Sequence, residues 1–302
     1  MGSIYWPAMD SAARSARRPL DERALSHVLQ RLRRAPAAPW LHGEAARRMA
    51  ERLPVIRREP DRVLDWWAQL GASRELLTRT YPRARVVAVE PEGVAAEPAR
   101  RWWPRRLAKQ GLESVAEAAV ADGSAQLVWA NMMLHGAVDP QAVMAQWHRA
   151  LAVDGFLMFS TLGPGSLERL RSLYRAQGWP APFAPFVDMH DLGDMLVEAG
   201  FADPVMDQET ITLSWPDASA LLGELRGLGG NVDPQRHAGL RTPRWRERLL
   251  QALAADAASD GRPTLQVELV YGHAFRPPPR PRVAESTTLP LADLRAMLRA
   301  DR

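Results

Sequence analysis

The chain has 302 residues, 46% hydrophobic and 25% charged, which excludes collagen-like, low-complexity and wholly disordered readings. It has no cysteine, so disulfides, thiolate metal sites and a cysteine nucleophile are excluded together. The net charge is +4 and lysine occurs once, at Lys109; arginine clusters such as RRWWPRR, 100–106, suit an acidic partner, while 35 acids and the lack of any nucleic-acid motif make nucleic acid a poor one. No apolar run reaches the ~18 residues of a membrane helix, and the first residues lack the apolar core of a signal peptide, so a cytoplasmic location is expected.

In chain order, residues 10–34 read as an arginine-rich helix with Leu25, Val28, Leu29 and Leu32 on one face. A break at RAPAAP precedes a second helix from about Trp40 to Leu53. RVLDWWA, 62–68, and RVVAVE, 85–90, are buried strands, with a helix between them for which Ser73 is the expected cap. Residues 96–110 have helical character interrupted by Pro98 and Pro104. AQLVWAN, 125–131, is a third strand, and Asp139 caps a helix over 140–151. A turn and strand at 153–161 precede a helix from GSLERL, then a helix over 188–201 closed by Gly200. The alternating segments 206–215 and 264–275 flank a helix over 218–231 and predict an antiparallel edge.

Strands alternating with helices imply an α/β fold, a doubly wound, mostly parallel seven-stranded sheet with N-terminal helices. The expected organisation is a helical segment over 1–54, an α/β domain over 55–276 with a helical insertion near 216–262, and a Pro/Arg-rich tail over 277–302. In such a sheet ligands bind beyond the carboxyl ends of the strands. Asp65, Glu90, Asn131 and the pair Ser160–Thr161 close four of the apolar runs. Asp65 and Glu90 lie one β-α-β step apart, where an acid can accept from both hydroxyls of a ribose.

The runs VLDWWAQLG (63–71), VVAVEPE (86–92) and ADGSAQLVWANMMLHG (121–136) resemble class I S-adenosylmethionine-dependent methyltransferases. With the segments over 146–171, 186–215, 221–231 and 265–275, they are similar to the biotin-synthesis branch, the malonyl-acyl-carrier-protein O-methyltransferases, across residues 40–276. The resemblance implies S-adenosylmethionine as cofactor, with Asp65, Gly71, Glu90, Ser114 and Asn131 as its binding residues, Ser114 standing where the family has an acid near the adenine. It implies an acidic acyl-carrier protein, or its acyl thioester, as partner. The family's turn after the first strand has three glycines; this chain keeps Gly71 and carries Trp67 and Gln69 at the other two.

A carboxylate acceptor is already nucleophilic at neutral pH, so catalysis reduces to alignment and exclusion of water. Arg226, with Arg241 as second choice, is expected to hold that carboxylate, and His135 to line the acceptor side. Asp188, His190 and Asp191 read as a helix N-terminus rather than a metal site. Two other classes stay open: a catalytically degenerate member acting as a binding module, and an assembly factor. The space above Gly71 discriminates, since Trp67 either leaves it open or fills it.

Overall fold

A computed structural model describes residues 17–91, 113–257 and 260–279. The expected helix over 96–110 falls outside these, as do the first sixteen residues and the tail beyond 279. Of the helix expected over 10–34, residues 10–16 lie outside the described residues, 17–21 are not helical, and α1 spans Glu22–Arg34, with the Asp21 carboxylate accepting from the N–H of Ala24 at 2.9 Å. Pro19 disfavours a helical residue 18, and Asp21 supplies the cap that starts the helix properly. α2 spans Trp40–Ala50.

The alternation continues as β1 (Arg62–Trp66), a one-turn α3 (Ala68–Gly71), α4 (Arg74–Thr80), β2 (Arg85–Glu90), β3 (Ser114–Ala116) and β4 (Ala125–Asn131). It then runs through α5 (Pro140–Ala150), β5 (Leu151–Leu162), α6 (Glu168–Ala176), α7 (Met189–Glu198) and β6 (Ala202–Ser214). It closes with α8 (Ala218–Leu228), α9 (Pro243–Ala255) and β7 (Thr264–Phe275).

The seven strands lie in the order β3-β2-β1-β4-β5-β7-β6. β7 runs antiparallel to both neighbours and is threaded between β5 and the edge strand β6. Strands β1, β4 and the second half of β5 are apolar on both faces because helices cover both, as a parallel sheet requires. One core contains Leu64, Trp66, Val128, Trp147 and Phe159; the other contains Met49, Leu77, Leu127, Trp129 and Phe156. Leu32 of α1 belongs to the first, which fixes α1 over the strand tips. A third apolar cluster joins α6, α8, α9 and the start of β7 through Leu170, Leu221, Leu249 and Leu265. The order places β2, β1 and β4 side by side, so Glu90, Asp65 and Asn131 close adjacent strands.

Candidate active site

Beyond the strand tips the residues form two neighbouring regions. The first is the turn after β1. Asp65, Gly71 and Asn131 come together there: a Cβ built on Gly71 would lie 3.7 Å from Asp65 Oδ1 and 3.8 Å from Asn131 Cβ. Asn131 is fully buried; its amide donates to the carbonyls of Gly71 (2.6 Å) and His42 (2.7 Å), and its Oδ1 accepts from Ser160 Oγ at 2.6 Å. It therefore ties the turn to α2 and to β5. Ser73 does not cap α4 by its side chain. Its hydroxyl donates to the Gly71 carbonyl and accepts from Trp129 Nε1, a buried tie that takes the side chain away from the helix end.

Glu90 sits at the tip of β2, buried, and its Oε1 accepts the backbone N–H of Gln69 at 2.9 Å. Burial raises its pKa to about 7, the Gln69 N–H and the charge of Arg33 opposing and the charge of Glu117 adding to the rise. Asp65 is 1% exposed, and neither carboxylate oxygen has a hydrogen-bond partner among the described residues. Burial, with the Glu90 charge adding and Arg74 opposing, pushes its pKa up to about 8.

Trp67 adopts the left-handed conformation, φ 56° and ψ 46°. Glycine takes this conformation freely, whereas a side chain costs about 1–2 kcal/mol there. The indole is 8% exposed, lies against Gly136, and donates from Nε1 to Glu117 Oε1 at 2.7 Å. Trp66, fully buried, donates to the same oxygen at 2.8 Å.

Ser114 begins β3, level with Asp65 across β2. It pairs with Ala88, two residues short of Glu90, and is exposed. Ala116 is level with Glu90, so Glu117 is the acid that follows the tip of β3. β3 is a three-residue edge strand without an apolar run, so nothing in the sequence marks its register.

The second region is a cleft of about 660 Å³ beside the turn. Leu25, Val28 and Leu29 of α1, Phe183 and Phe186 of the loop before α7, and Leu222 and Leu225 of α8 line it. His135, Arg226 and Arg241 line it too, so those three expected residues share one space. His42 and His135 meet edge to face, ring centroids 6.4 Å apart. Nδ1 of His42 lies 2.7 Å from the Leu70 carbonyl, which can only accept, so that nitrogen carries the proton. Burial pushes the pKa of His42 down to about 4; burial, with the charges of His42 and Arg18, pushes that of His135 to about 3. Both rings are neutral at neutral pH.

Sequence reasoning missed Arg18 as a cleft residue. Its guanidinium donates to the carbonyls of His135, Pro185 and Ala137 and meets no carboxylate among the described residues. Burial lowers its pKa to about 10, which leaves it charged. Its nearest sequence signal, the cluster Arg14, Arg17 and Arg18, says nothing of a contact with residue 135. Arg226 is exposed on α8, and Arg241 lies over the Trp245 ring at 4.3 Å. Asp188 caps α7 by accepting the His190 N–H at 2.8 Å.

A methyltransferase-domain model matches residues 38–203. The chain is 38% identical over 255 residues to the malonyl-[acyl-carrier protein] O-methyltransferase of Laribacter hongkongensis, covering 81% of this chain and 86% of that one. It is 34% identical to the protein of the same name in Gallionella capsiferriformans, over 86% and 93% of the two chains. The chain belongs to the malonyl-[acyl-carrier protein] O-methyltransferase family. The YcgJ protein of Bacillus subtilis shares its fold, with a TM-score of 0.52 at 12% identity over 76% of this chain and 98% of the other. So does a putative methyltransferase of Bacillus halodurans, with a TM-score of 0.51 at 15% identity over 76% and 99%.

Membership implies S-adenosylmethionine as methyl donor. The turn fits that group at one end only. The unpartnered, buried carboxyl of Asp65 beside Gly71 suits a cationic amino-acid end. At the other end the Trp67 indole and the Gln69 N–H already engage Glu117 and Glu90. No helix among the described residues is long and apolar enough to cross a membrane.

Proposed function

We propose that this chain O-methylates the free carboxylate of a malonyl-type thioester carried by an acidic acyl-carrier protein, the reaction for which its relatives are named. The observation that carries this reading is the cleft: apolar walls and, at its side, the charged guanidinium of Arg18, held by backbone carbonyls. Apolar walls suit the acyl thioester, and a carboxylate is the group that such a cation would hold. S-adenosylmethionine, when bound, supplies an electrophilic methyl. The chain's own residues supply orientation and dryness. Arg18, with Arg226 and Arg241 further along the cleft, orients the carboxylate. His135, neutral at the same wall, neither competes for that anion nor gives it a proton. α1 lies along the cleft and keeps bulk water off the acceptor.

The partner follows from charge. Most arginines of the rest of the surface meet acids: Arg48 meets Glu44 and Glu209, Arg52 meets Asp207, and Arg85 meets Glu113. Arg226, Arg241 and Arg246 line the cleft, Arg244 and Arg248 are exposed on α9, and none of the five has a carboxylate partner among the described residues. Such a surface attracts an acidic protein and raises its association rate.

The test is transfer of labelled methyl from S-adenosylmethionine to malonyl-carrier protein, read as a base-labile ester. No transfer to any malonyl thioester overturns the reading. The double charge reversal Arg244→Glu/Arg248→Glu is expected to raise KM for the carrier-bound substrate about tenfold, roughly 1.4 kcal/mol, with malonyl-coenzyme A unaffected. An equal rise for both would remove the carrier from this surface.

A further inference from the structure

Glu117 is the acid that follows the tip of β3, one strand over from Glu90 and beyond the strand where the resemblance puts the adenine. Its Oε1 is already in use, since the indole N–H groups of Trp66 and Trp67 both converge on it. A purine presents the same chemistry as Trp67: a flat bicyclic ring with an N–H donor at its edge.

Trp67 reaches Glu117 from a left-handed backbone, φ 56°, a conformation that glycine adopts freely. The ring then settles against Gly136 in the cluster that includes Leu32 of α1. At residue 69 the contact is a main-chain one that glycine would make equally: the backbone N–H donates to Oε1 of Glu90. Asp65, in contrast, is left unpartnered at the far end of the turn. The Trp67 indole thus holds Glu117 Oε1 at one end of the turn, while Asp65 at the other end has no partner among the described residues.

We infer that Trp67 is a built-in occupant of the nucleoside end of this site, and that a nucleoside ligand enters only by displacing its indole from Glu117. This takes its choice of ligand from the methyl-transfer reading but is tested by binding alone. Entry is then an exchange: one N–H on Glu117 leaves as another arrives, the indole gives up its contact with Gly136, and the cation settles beside Asp65. Wild-type affinity is correspondingly reduced.

The experiment is calorimetric titration of the full chain with S-adenosylhomocysteine, on the wild type and two variants. Trp67→Gly restores the family residue at a left-handed position and is expected to bind at least tenfold more tightly. Trp67→Phe keeps a ring but loses the N–H, and is expected to gain severalfold. Tryptophan emission should shift on titration of the wild type, and the shift should be largely absent in Trp67→Phe. Equal affinities of wild type and Trp67→Gly overturn the inference, as does a cooperatively folded Trp67→Gly with no gain. If the glycine variant does not fold, Trp67→Phe decides alone, and affinity equal to wild type overturns it. A Trp67→Gly chain that binds tightly yet methylates no malonyl thioester leaves this inference standing and defeats the methyl-transfer reading instead.

Discussion

The turn after β1 and the cleft beside it share α1 as a wall, yet one is packed shut and the other stands open. Leu32 packs in one cluster with Trp67 and Leu70 and reaches the cleft as well, where Leu25, Val28 and Leu29 line the wall beside it. The difference lies in polar satisfaction. Around the turn Glu90, Glu117 and Asn131 are bonded to groups of the chain itself, while among the described residues the Asp65 carboxyl and Nε and Nη2 of Arg33, whose charge acts on Glu90, are left over. In the cleft, Arg18 meets only carbonyls and His135 Nδ1 has no partner among the described residues. A region that satisfies its own polar groups excludes ligands, and one that leaves them over recruits ligands.

The largest effect that would break this contrast is on stability. Trp66→Ala removes a fully buried ring from the closed side and should cost about 3–5 kcal/mol in denaturant melts. Leu222→Ala, at the half-buried cleft wall, should cost no more than about 1 kcal/mol. Equal costs would mean that the cleft is as tightly packed as the turn.

Next comes the acceptor. Arg18→Ala should lower kcat/KM for a malonyl thioester about ten- to a hundredfold, roughly 1.5–3 kcal/mol for a lost charge-assisted hydrogen bond. Arg226→Ala should lower it less, because that side chain is exposed and its interactions are screened by solvent. The reverse order in steady-state kinetics would return the carboxylate to α8.

The sheet was legible in the sequence wherever an apolar run ended in a polar residue. Val63-Leu64-Asp65, Val87-Ala88-Val89-Glu90 and Trp129-Ala130-Asn131 each announce a buried strand and its tip. β3 was not legible, because three edge residues, none of them buried, carry no pattern, and Glu117 after its tip went unremarked. α9 went unnamed inside the expected insertion, although Thr242 before Pro243 is a readable start: its hydroxyl accepts the Trp245 N–H. Arg18 could not be found from sequence at all, since its bond to the His135 carbonyl joins residues 117 positions apart. Trp67 was legible as an anomaly but not as an outcome. The glycine pattern shows that something occupies the turn, and only the register of β3 shows what that indole bonds.

The smallest expected effect tests the unpartnered carboxyl of the closed region, through pH. Asp65 titrates near ~3.9 when unfolded and at about 8 when folded. Between those values the folded chain holds a proton that the unfolded chain has lost, so this group makes stability fall as pH rises. Buried His42 and His135 act oppositely. Their folded values, about 4 and about 3, lie below the ordinary imidazole value, so their contribution is present at higher pH and is lost as pH falls. The range from pH 6.5 to 8 therefore isolates the carboxyls, with Glu90, at about 7, contributing in its lower part. Asp65→Asn keeps the shape and removes the titration. Its stability relative to wild type should improve by about 1–2 kcal/mol between pH 6.5 and pH 8, at ~1.4 kcal/mol per unit for one proton. Urea melts at the two pH values measure this. Parallel curves for variant and wild type would mean that Asp65 is ionised with a partner of its own. The turn would then be closed at both ends, with no cation-seeking group left to receive a ligand.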